Sequence, residues 1–159
     1  MLVTGGTGFI AAALIQALAP TWNVRVSQRR EARGPQDYVV GDMGAGADWR
    51  RALEGVGTVI HLAGPPNSYF PDDVLRRGIV GGTHELAEQA TAAGVRRFIF
   101  VSSMKACADV SQGPPLNEDD EPRPSDAYGC SKLEAERIVL ERAALNPIVL
   151  RPPLVYAAN

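Results

Sequence analysis

The segment MLVTGGTGFIAAALIQAL, residues 1–18, carries the pattern on which the interpretation of the fold depends. The apolar residues of Leu2–Thr4 are typical of a short buried strand, and a glycine-rich turn follows them. The next apolar run, Phe9–Ala19, has the length of a helix and ends before Pro20, which cannot continue a helix interior. A strand, a glycine-rich turn and a helix are therefore predicted at the start of the fold.

The turn itself has the form G-x-x-G-x-x-A, in which Gly5, Gly8 and Ala11 hold the fixed places. Glycines let a backbone turn tightly and approach a pyrophosphate closely, and alanine is tolerated where a third glycine packs the helix on the strand. The amides at the start of the helix then face the phosphate oxygens. Because the turn joins a strand to a helix, we interpret it as a dinucleotide-binding turn. Its predicted cofactor-binding residues are Gly5, Thr7, Gly8, Phe9 and Ile10.

Short apolar runs and longer helical patterns alternate along the rest of the chain. The predicted strands are Leu2–Thr4, Asn23–Ser27, Tyr38–Val40, Thr58–Leu62, Phe98–Ser102 and Pro147–Leu150. The predicted helices are Phe9–Ala19, Asp48–Leu53, Asp73–Ala93 and Ala127–Ala144, the last with Ser125 as its N-cap. This alternation predicts an α/β fold of the Rossmann type, a doubly wound parallel sheet of about six strands. Such a sheet binds its ligand at the carboxyl ends of the strands.

Composition and charge exclude several classes of protein. The 159 residues suit one domain; 45% of them are hydrophobic, 21% are charged, and the net charge is −2. We therefore expect neither a basic surface for nucleic acid nor a membrane-binding patch or span. Cys107 and Cys130 match no metal-binding spacing, so no metal site is predicted. A reduced thiol pair is typical of the cytoplasm, the predicted location.

The second predicted strand ends in VRVSQRR, residues 24–30. A dinucleotide site usually presents an acidic residue to the ribose hydroxyls about 20 residues after the glycines. This chain has Gln28, Arg29 and Arg30 there, and arginine can bind a 2′-phosphate in bidentate fashion. We predict NAD or NADP as the cofactor, with a preference for NADP. In the alternative interpretation, these arginines are only solvated at a strand end.

Two further strand ends are predicted to complete the cofactor site. Asp42 and Met43 follow the third strand, where Asp42 is suited to accept a hydrogen bond from the adenine amino group. The small residues after the fourth strand leave room for the cofactor, and the predicted contacts there are Leu62, Ala63 and Gly64. We expect His61, just before them, to pack rather than to catalyse.

A candidate catalytic set follows the fifth strand. Tyr128 and Lys132 are four residues apart, so they lie on one face of the predicted helix. A nearby ammonium stabilises a phenolate and lets a tyrosine act as a base near neutral pH. The hydroxyl of Ser103, or less favourably Ser102, is placed to orient a substrate hydroxyl or carbonyl. Together with the glycine turn, this combination is far more specific than Y-x-x-x-K alone.

Six segments, in this order, resemble the extended short-chain dehydrogenase/reductases, and among them the NAD-dependent epimerase/dehydratase family. They are LVTGGTGFI, GDM, VIHLAG, AGVRRFIFVSS, YGCSKLEAE and LRPPLVY. The resemblance implies a nucleotide-sugar substrate and catalytic roles for Ser103, Tyr128 and Lys132, the last two also contacting the cofactor. In this family a tyrosinate removes a proton from a sugar hydroxyl while hydride moves to the nicotinamide. The resulting ketone is then reduced again, often on the other face.

Three departures from the family pattern bear on function. The third helix reads GIVGGT, with Ile79 where family members commonly carry an asparagine that organises the active site. Met104 and Lys105 follow the serines, where dehydratases have an acid–base pair, which favours an epimerase or a plain dehydrogenase. The family also continues beyond RPPLVY. We therefore predict residues 1–156 as the NAD(P)-binding domain and 157–159 as a terminal stub, without the C-terminal substrate domain. The end is interpreted as that of a fragment or as the start of an added tag.

Two other functional hypotheses remain open at this point. The chain is alternatively an NAD(P)-binding sensor without turnover, which Ile79 favours and the retained Tyr128–Lys132 pair disfavours. A homodimer through the helices Asp73–Ala93 and Ala127–Ala144 is also predicted, because helix pairing of this kind is common in the superfamily. We expect catalysis by this chain to be impaired.

Overall fold

The computed structural model describes residues 1–44, 46–110, 113 and 115–156. The predicted terminal stub, 157–159, lies outside the described residues. The strands are β1 (Leu2–Val3), β2 (Arg25–Gln28), β3 (Asp37–Val39), β4 (Thr58–His61), β5 (Arg97–Val101) and β6 (Ile148–Leu150). The helices are α1 (Phe9–Leu18), α2 (Arg50–Leu53), α3 (Asp72–Leu75), α4 (Gly82–Ala92) and α5 (Ala127–Leu140). A π-helical segment, Arg76–Gly81, joins α3 to α4, and 3₁₀ turns cover Met104–Ala106 and Ala143–Leu145.

Within the described residues, six parallel strands form one sheet in the order β3-β2-β1-β4-β5-β6. Val3 of β1 pairs with Val26 of β2 on one side and with Ile60 of β4 on the other. The direction in which successive strands are added therefore reverses between β1 and β4. This reversal is the switch point at which such sheets bind ligands. The predicted Rossmann-type α/β fold is confirmed.

Each face of the sheet packs a separate hydrophobic cluster. The larger one contains fully buried Trp49, Phe98, Phe100 and Leu145, together with residues from α2 to α5. The smaller cluster forms around Val3, with side chains of α1 packed against it. Because successive strand residues point to opposite faces, strands covered on both faces read as continuous apolar runs. This is why the strand positions could be predicted to within two residues.

The predicted helix Asp73–Ala93 is present, but it contains a π-helical segment that the sequence did not predict. It begins at Asp72, after Pro71, and the wide π turn of Arg76–Gly81 interrupts it. Close contacts accompany the interruption: a Cβ at Gly78 would lie 2.8 Å from Pro65 Cδ, and one at Gly82 would lie 2.8 Å from Met43 Cε. The glycines that weaken the helix thus also let it run close to the loops after β3 and β4.

The last helix differs from its prediction at both ends. Asp126, rather than Ser125, is its N-cap, since the Asp126 carboxylate accepts a hydrogen bond from the Gly129 amide at 2.7 Å. Ser125 instead donates from its amide and its hydroxyl to Asp109. The helix ends at Leu140 rather than Ala144, and the chain then turns so that Leu145 is fully buried before β6.

None of the helices in the described part of the chain combines the length and hydrophobicity needed to cross a membrane. The same residues contain no cluster of three or more histidine, cysteine or acidic side chains suited to hold a metal ion.

Candidate functional site

A cavity of about 960 Å³ lies at the carboxyl ends of the strands, across the switch point. All fifteen residues predicted for the cofactor and catalytic sites line it, although they come from widely separated parts of the chain. They are Gly5, Thr7, Gly8, Phe9, Ile10, Gln28, Arg29, Asp42, Met43, Leu62, Ala63, Gly64, Ser103, Tyr128 and Lys132. The cavity therefore joins the glycine turn to the Ser-Tyr-Lys set.

The glycine turn leaves no room for side chains at two positions. Gly5 adopts φ +72°, and a Cβ there would lie 2.9 Å from the Ala63 Cα. Gly6 was not among the predicted motif positions, yet a Cβ on it would overlap Val26 Cγ1. The turn is closed by the Gly8 amide, which donates to the Gly5 carbonyl at 2.8 Å. The doubled glycine in the sequence was the available signal for Gly6.

The N-terminus of α1 points its backbone into this turn. Gly8 is its N-cap, and no described side chain caps the helix there. The first amides of a helix have no partner within the helix, and the helix dipole adds partial positive charge at this end. Together with the bare glycine backbone, this arrangement is suited to hold a pyrophosphate.

His61 is fully buried beneath the cavity and serves as a structural link. The Thr4 hydroxyl oxygen accepts from the Leu62 and Ala63 amides, both at 3.1 Å, so its proton is directed to His61 Nδ1 at 2.8 Å. The Nε2–H of His61 then donates to Thr83 at 3.1 Å. Burial, aided by the charge of Lys132, lowers the pKa of His61 to about 3. A neutral imidazole with both nitrogens engaged packs rather than transfers protons.

The end of β2 contacts a carboxylate of β3 that the sequence interpretation did not include. Gln28 is buried, and its amide donates to the Asp37 carboxylate on β3 at 3.1 Å. Arg29 lies at the cavity wall, where its Nε is 3.6 Å from Asp42 with both side chains largely exposed. Asp37 lies nine residues beyond Gln28 along the chain and is brought beside it by the pairing of β2 with β3.

Lys132 lies at the end of the cavity that Ser103 and Tyr128 line, and contacts with β5 hold it there. Its ammonium donates to the Val101 carbonyl at 3.1 Å and lies 5.0 Å from the Phe100 ring centroid. It is 5.8 Å from the ring centroid of Tyr128. Burial lowers the pKa of Lys132 to about 8, against the opposing charge of Glu136.

Several opposing influences act on the pKa of Tyr128. Burial raises the pKa of Tyr128, a hydrogen bond with Ser103 lowers it, and the Asp126 carboxylate raises it again. The charge of the Lys105 ammonium also lowers it. Burial and the Asp126 carboxylate therefore disfavour the ionised phenol, and the Ser103 hydrogen bond and the Lys105 charge favour it.

Ser102 and Ser103 have separate roles. Ser102 is buried, and its hydroxyl donates to Glu136 at 2.5 Å, whereas Ser103 faces Tyr128. Ile79 lies within the π-helical segment and is 1% exposed, with its side chain near Gly64. It supplies an apolar contact where the family pattern has an amide.

The model of the NAD-dependent epimerase/dehydratase family matches residues 1–159. This chain belongs to that family. The UDP-glucose 4-epimerase of Vibrio cholerae is 33% identical over 98% of this chain and 52% of its own length. The L-arabinose 1-dehydrogenase (NAD(P)(+)) of Haloferax volcanii is 32% identical over 86% of this chain and 58% of its own.

Solved structures of the family share the fold. A short-chain dehydrogenase/reductase superfamily protein from Agrobacterium tumefaciens, crystallised with bound NAD, has a TM-score of 0.84 and 34% identity over 94% of this chain and 48% of its own. MoeE5 in complex with UDP-glucose and NAD has a TM-score of 0.77 and 33% identity over 93% of this chain and 51% of its own. The chain spans about half the length of the relatives it matches.

Proposed function

We propose that this chain is the NAD(P)-binding part of a nucleotide-sugar epimerase or dehydrogenase that works through transient hydride transfer. The observation that carries the proposal is the single cavity lined by the glycine turn, Ser103, Tyr128 and Lys132. The residues present fit a dinucleotide, because the uncapped start of α1 and the glycine backbone suit its pyrophosphate. A nicotinamide dinucleotide would supply the hydride acceptor.

The catalytic residues divide the proton chemistry between them. Tyr128 takes the proton from a sugar hydroxyl, and Ser103 donates a hydrogen bond to the oxygen on which the carbonyl forms. Lys132, charged at neutral pH and held at Val101, stabilises the tyrosinate and binds the nicotinamide ribose hydroxyls. Burial raises the pKa of Tyr128. For Tyr128 to act as a base, the charge of Lys132 must lower that pKa when substrate and cofactor fill the cavity.

Tyr128→Phe tests this assignment in the protein that carries the chain, with UDP-glucose as the first substrate because two similar proteins act on or bind it. We expect turnover to fall by about 10²-fold or more, since the general base is lost, while dinucleotide affinity stays within about threefold. Tyr69→Phe is the matched control, because Tyr69 is 94% exposed. Full activity in Tyr128→Phe would exclude the mechanism.

Arg29 is the residue proposed to set the preference between NAD and NADP. We propose that Arg29 leaves its exposed contact with Asp42 and binds the 2′-phosphate of NADP, so that the chain accepts NADP better than NAD. Asp37, held by Gln28, opposes this preference, and both similar structures contain NAD. Arg29→Ala should weaken NADP binding about tenfold and leave NAD binding unchanged. An equal effect on both dinucleotides would show that Arg29 does not discriminate between them.

A cofactor-binding sensor without turnover is the second candidate function. The buried Ile79 favours it, since an apolar side chain cannot supply the hydrogen bond that the family asparagine gives. Ile79→Asn is the direct test. A gain of turnover with dinucleotide affinity unchanged would identify an enzyme limited by this position, whereas binding without turnover in both forms would favour the sensor.

We also propose that the chain forms a homodimer through α4 and α5. An exposed ion pair, Arg76 with Glu134 at 2.9 Å, joins the segment before α4 to α5. Sedimentation equilibrium of the chain would show a dimer, and reversing one charge with Glu134→Arg should weaken it. A monomer at all concentrations tested would contradict this part of the proposal.

A further inference from the structure

Two elements meet closely beside the catalytic tyrosine. Ser103 lies after β5 and is the N-cap of the 3₁₀ turn Met104–Ala106. Tyr128 lies in the first turn of α5. Gly129 faces this turn so closely that a Cβ there would overlap the Lys105 carbonyl oxygen and lie 2.9 Å from Pro124 Cβ. The distance between Ser103 and Tyr128 therefore depends on how these two backbones are held together.

Lys105 connects the two backbones through both its main chain and its side chain. Its amide donates to the Ser103 hydroxyl oxygen at 3.2 Å. Its ammonium donates to Asp126 at 2.5 Å and pairs with Asp109 at 3.1 Å. The Lys105 side chain is 43% exposed to solvent. The carboxylates of Asp109 and Asp126 are less exposed, at 24% and 27%.

Asp126 uses its two carboxylate oxygens for different elements. Oδ1 accepts from the Gly129 amide at 2.7 Å and so caps α5, while Oδ2 binds Lys105. The helix that presents Tyr128 is thus tied at its first turn to the segment that presents Ser103. Because its geometry couples two elements, this ion pair differs from exposed pairs, which contribute little.

We propose that Lys105 and Asp126 form a positioning clamp that fixes Ser103 against Tyr128 and sets the balance of charge around the Tyr128 hydroxyl. The proposal rests on the proposed role of Tyr128 as the base. The family resemblance does not imply it, because Lys105 stands where dehydratases have an acidic residue.

The charges facing Tyr128 come from every element packed against it. Burial is the largest influence and raises the pKa of Tyr128; the Asp126 carboxylate raises it too, and the Lys105 ammonium lowers it. Lys132 lies on the same helix, 5.8 Å from the ring centroid. Asp109 acts through its ion pair with Lys105. Changes at Lys105 and at Asp126 should therefore move the Tyr128 titration in opposite directions.

Ultraviolet difference titration of the phenol tests the clamp without requiring turnover, so a failure of the proposed reaction leaves the result interpretable. The curve for Tyr128 is obtained by subtracting that of Tyr128→Phe. We expect Lys105→Met to raise the midpoint by about one pH unit, because a cation near the hydroxyl is lost. Lys105→Arg should stay close to the unsubstituted protein, since it keeps the charge.

Asp126→Asn provides the opposing arm. Asparagine caps helices as well as aspartate does, so α5 keeps its cap while the carboxylate charge is removed, and the midpoint should fall. Arg76→Met is the matched control, because it also removes an ion pair to α5, at Glu134, and it should not move the midpoint. A general loss of structure would instead shift Lys105→Met and Asp126→Asn the same way.

An unchanged or lowered midpoint in Lys105→Met would overturn the proposal, because loss of the Lys105 charge and loss of the hold on Ser103 both raise it. Should Lys105→Met fail to fold, Asp126→Asn decides alone: a lower midpoint supports the clamp and an unchanged one contradicts it.

Discussion

Gly6 sets the tightest steric limit in the cofactor turn. A Cβ on this residue would overlap the side chain of Val26, which is buried. A β-branched side chain has few alternative χ1 rotamers with which to avoid the overlap. We expect Gly6→Ala to lower the free energy of unfolding by about 1–3 kcal/mol, as overpacking does. Urea denaturation measures this, and Gly34→Ala, with no atom within 4 Å of its Cβ, is the control that should be nearly neutral. Equal stability of the two variants would contradict the steric argument.

His61 makes stability depend on pH in a defined window. Its pKa in the folded chain, about 3, is below the ordinary value of 6.5, so the unfolded chain binds the proton more tightly. The stability it supplies is complete above about pH 6.5 and is lost as the pH falls toward 3. Between pH 7.5 and pH 5 we expect a loss of about 2 kcal/mol from this residue.

Urea denaturation at the two pH values checks this expectation. The slope should vanish in His61→Gln and persist in His84→Gln, because His84 is exposed and its side chain is 51% accessible. A slope that survives in His61→Gln would assign the pH dependence to other groups.

At the scale of elements, the buried pair of Glu136 and Arg151 joins α5 to the end of β6. Arg151 donates three hydrogen bonds of 2.6–3.1 Å to the Glu136 carboxylate, whose side chain is 1% exposed. Ser102, at the end of β5, donates to the same carboxylate. We expect Arg151→Met to cost about 3–5 kcal/mol, because it leaves a buried carboxylate without its cation.

Thermal or urea denaturation measures this loss, and Arg76→Met, which breaks an exposed pair, should cost less than about 1 kcal/mol. Combining Arg151→Met with Glu136→Gln should recover part of the loss. Strict additivity of the two changes would show that they do not interact.

Some of these elements could be predicted from the sequence and others could not. Strands and the glycine turn were predictable because their apolar runs and glycines are local signals. The π-helical segment Arg76–Gly81 was not predictable in this way, because its surroundings include close contacts of Gly78 and Gly82 with loops distant in sequence. The N-cap of α5 is one residue later than predicted. Ser125 donates a hydrogen bond to Asp109, which lies 16 positions earlier in the chain.

At the scale of the whole molecule, the alternation of strands and helices predicted the parallel sheet, and the sheet placed every predicted site residue at one cavity. Two charge relations of residues that line the cavity were beyond prediction. Asp37 beside Gln28 and Lys105 beside Tyr128 depend on strand pairing and loop packing rather than on spacing along the chain. Both change the chemistry expected at their end of the site.

The central claim is that the cavity at the switch point binds a nicotinamide dinucleotide. Isothermal titration calorimetry of the chain with NAD and with NADP tests it most directly. We expect saturable binding of at least one dinucleotide at one site per chain, with the NADP affinity reduced in Arg29→Ala. Absence of saturable binding for both dinucleotides by a folded chain would contradict it.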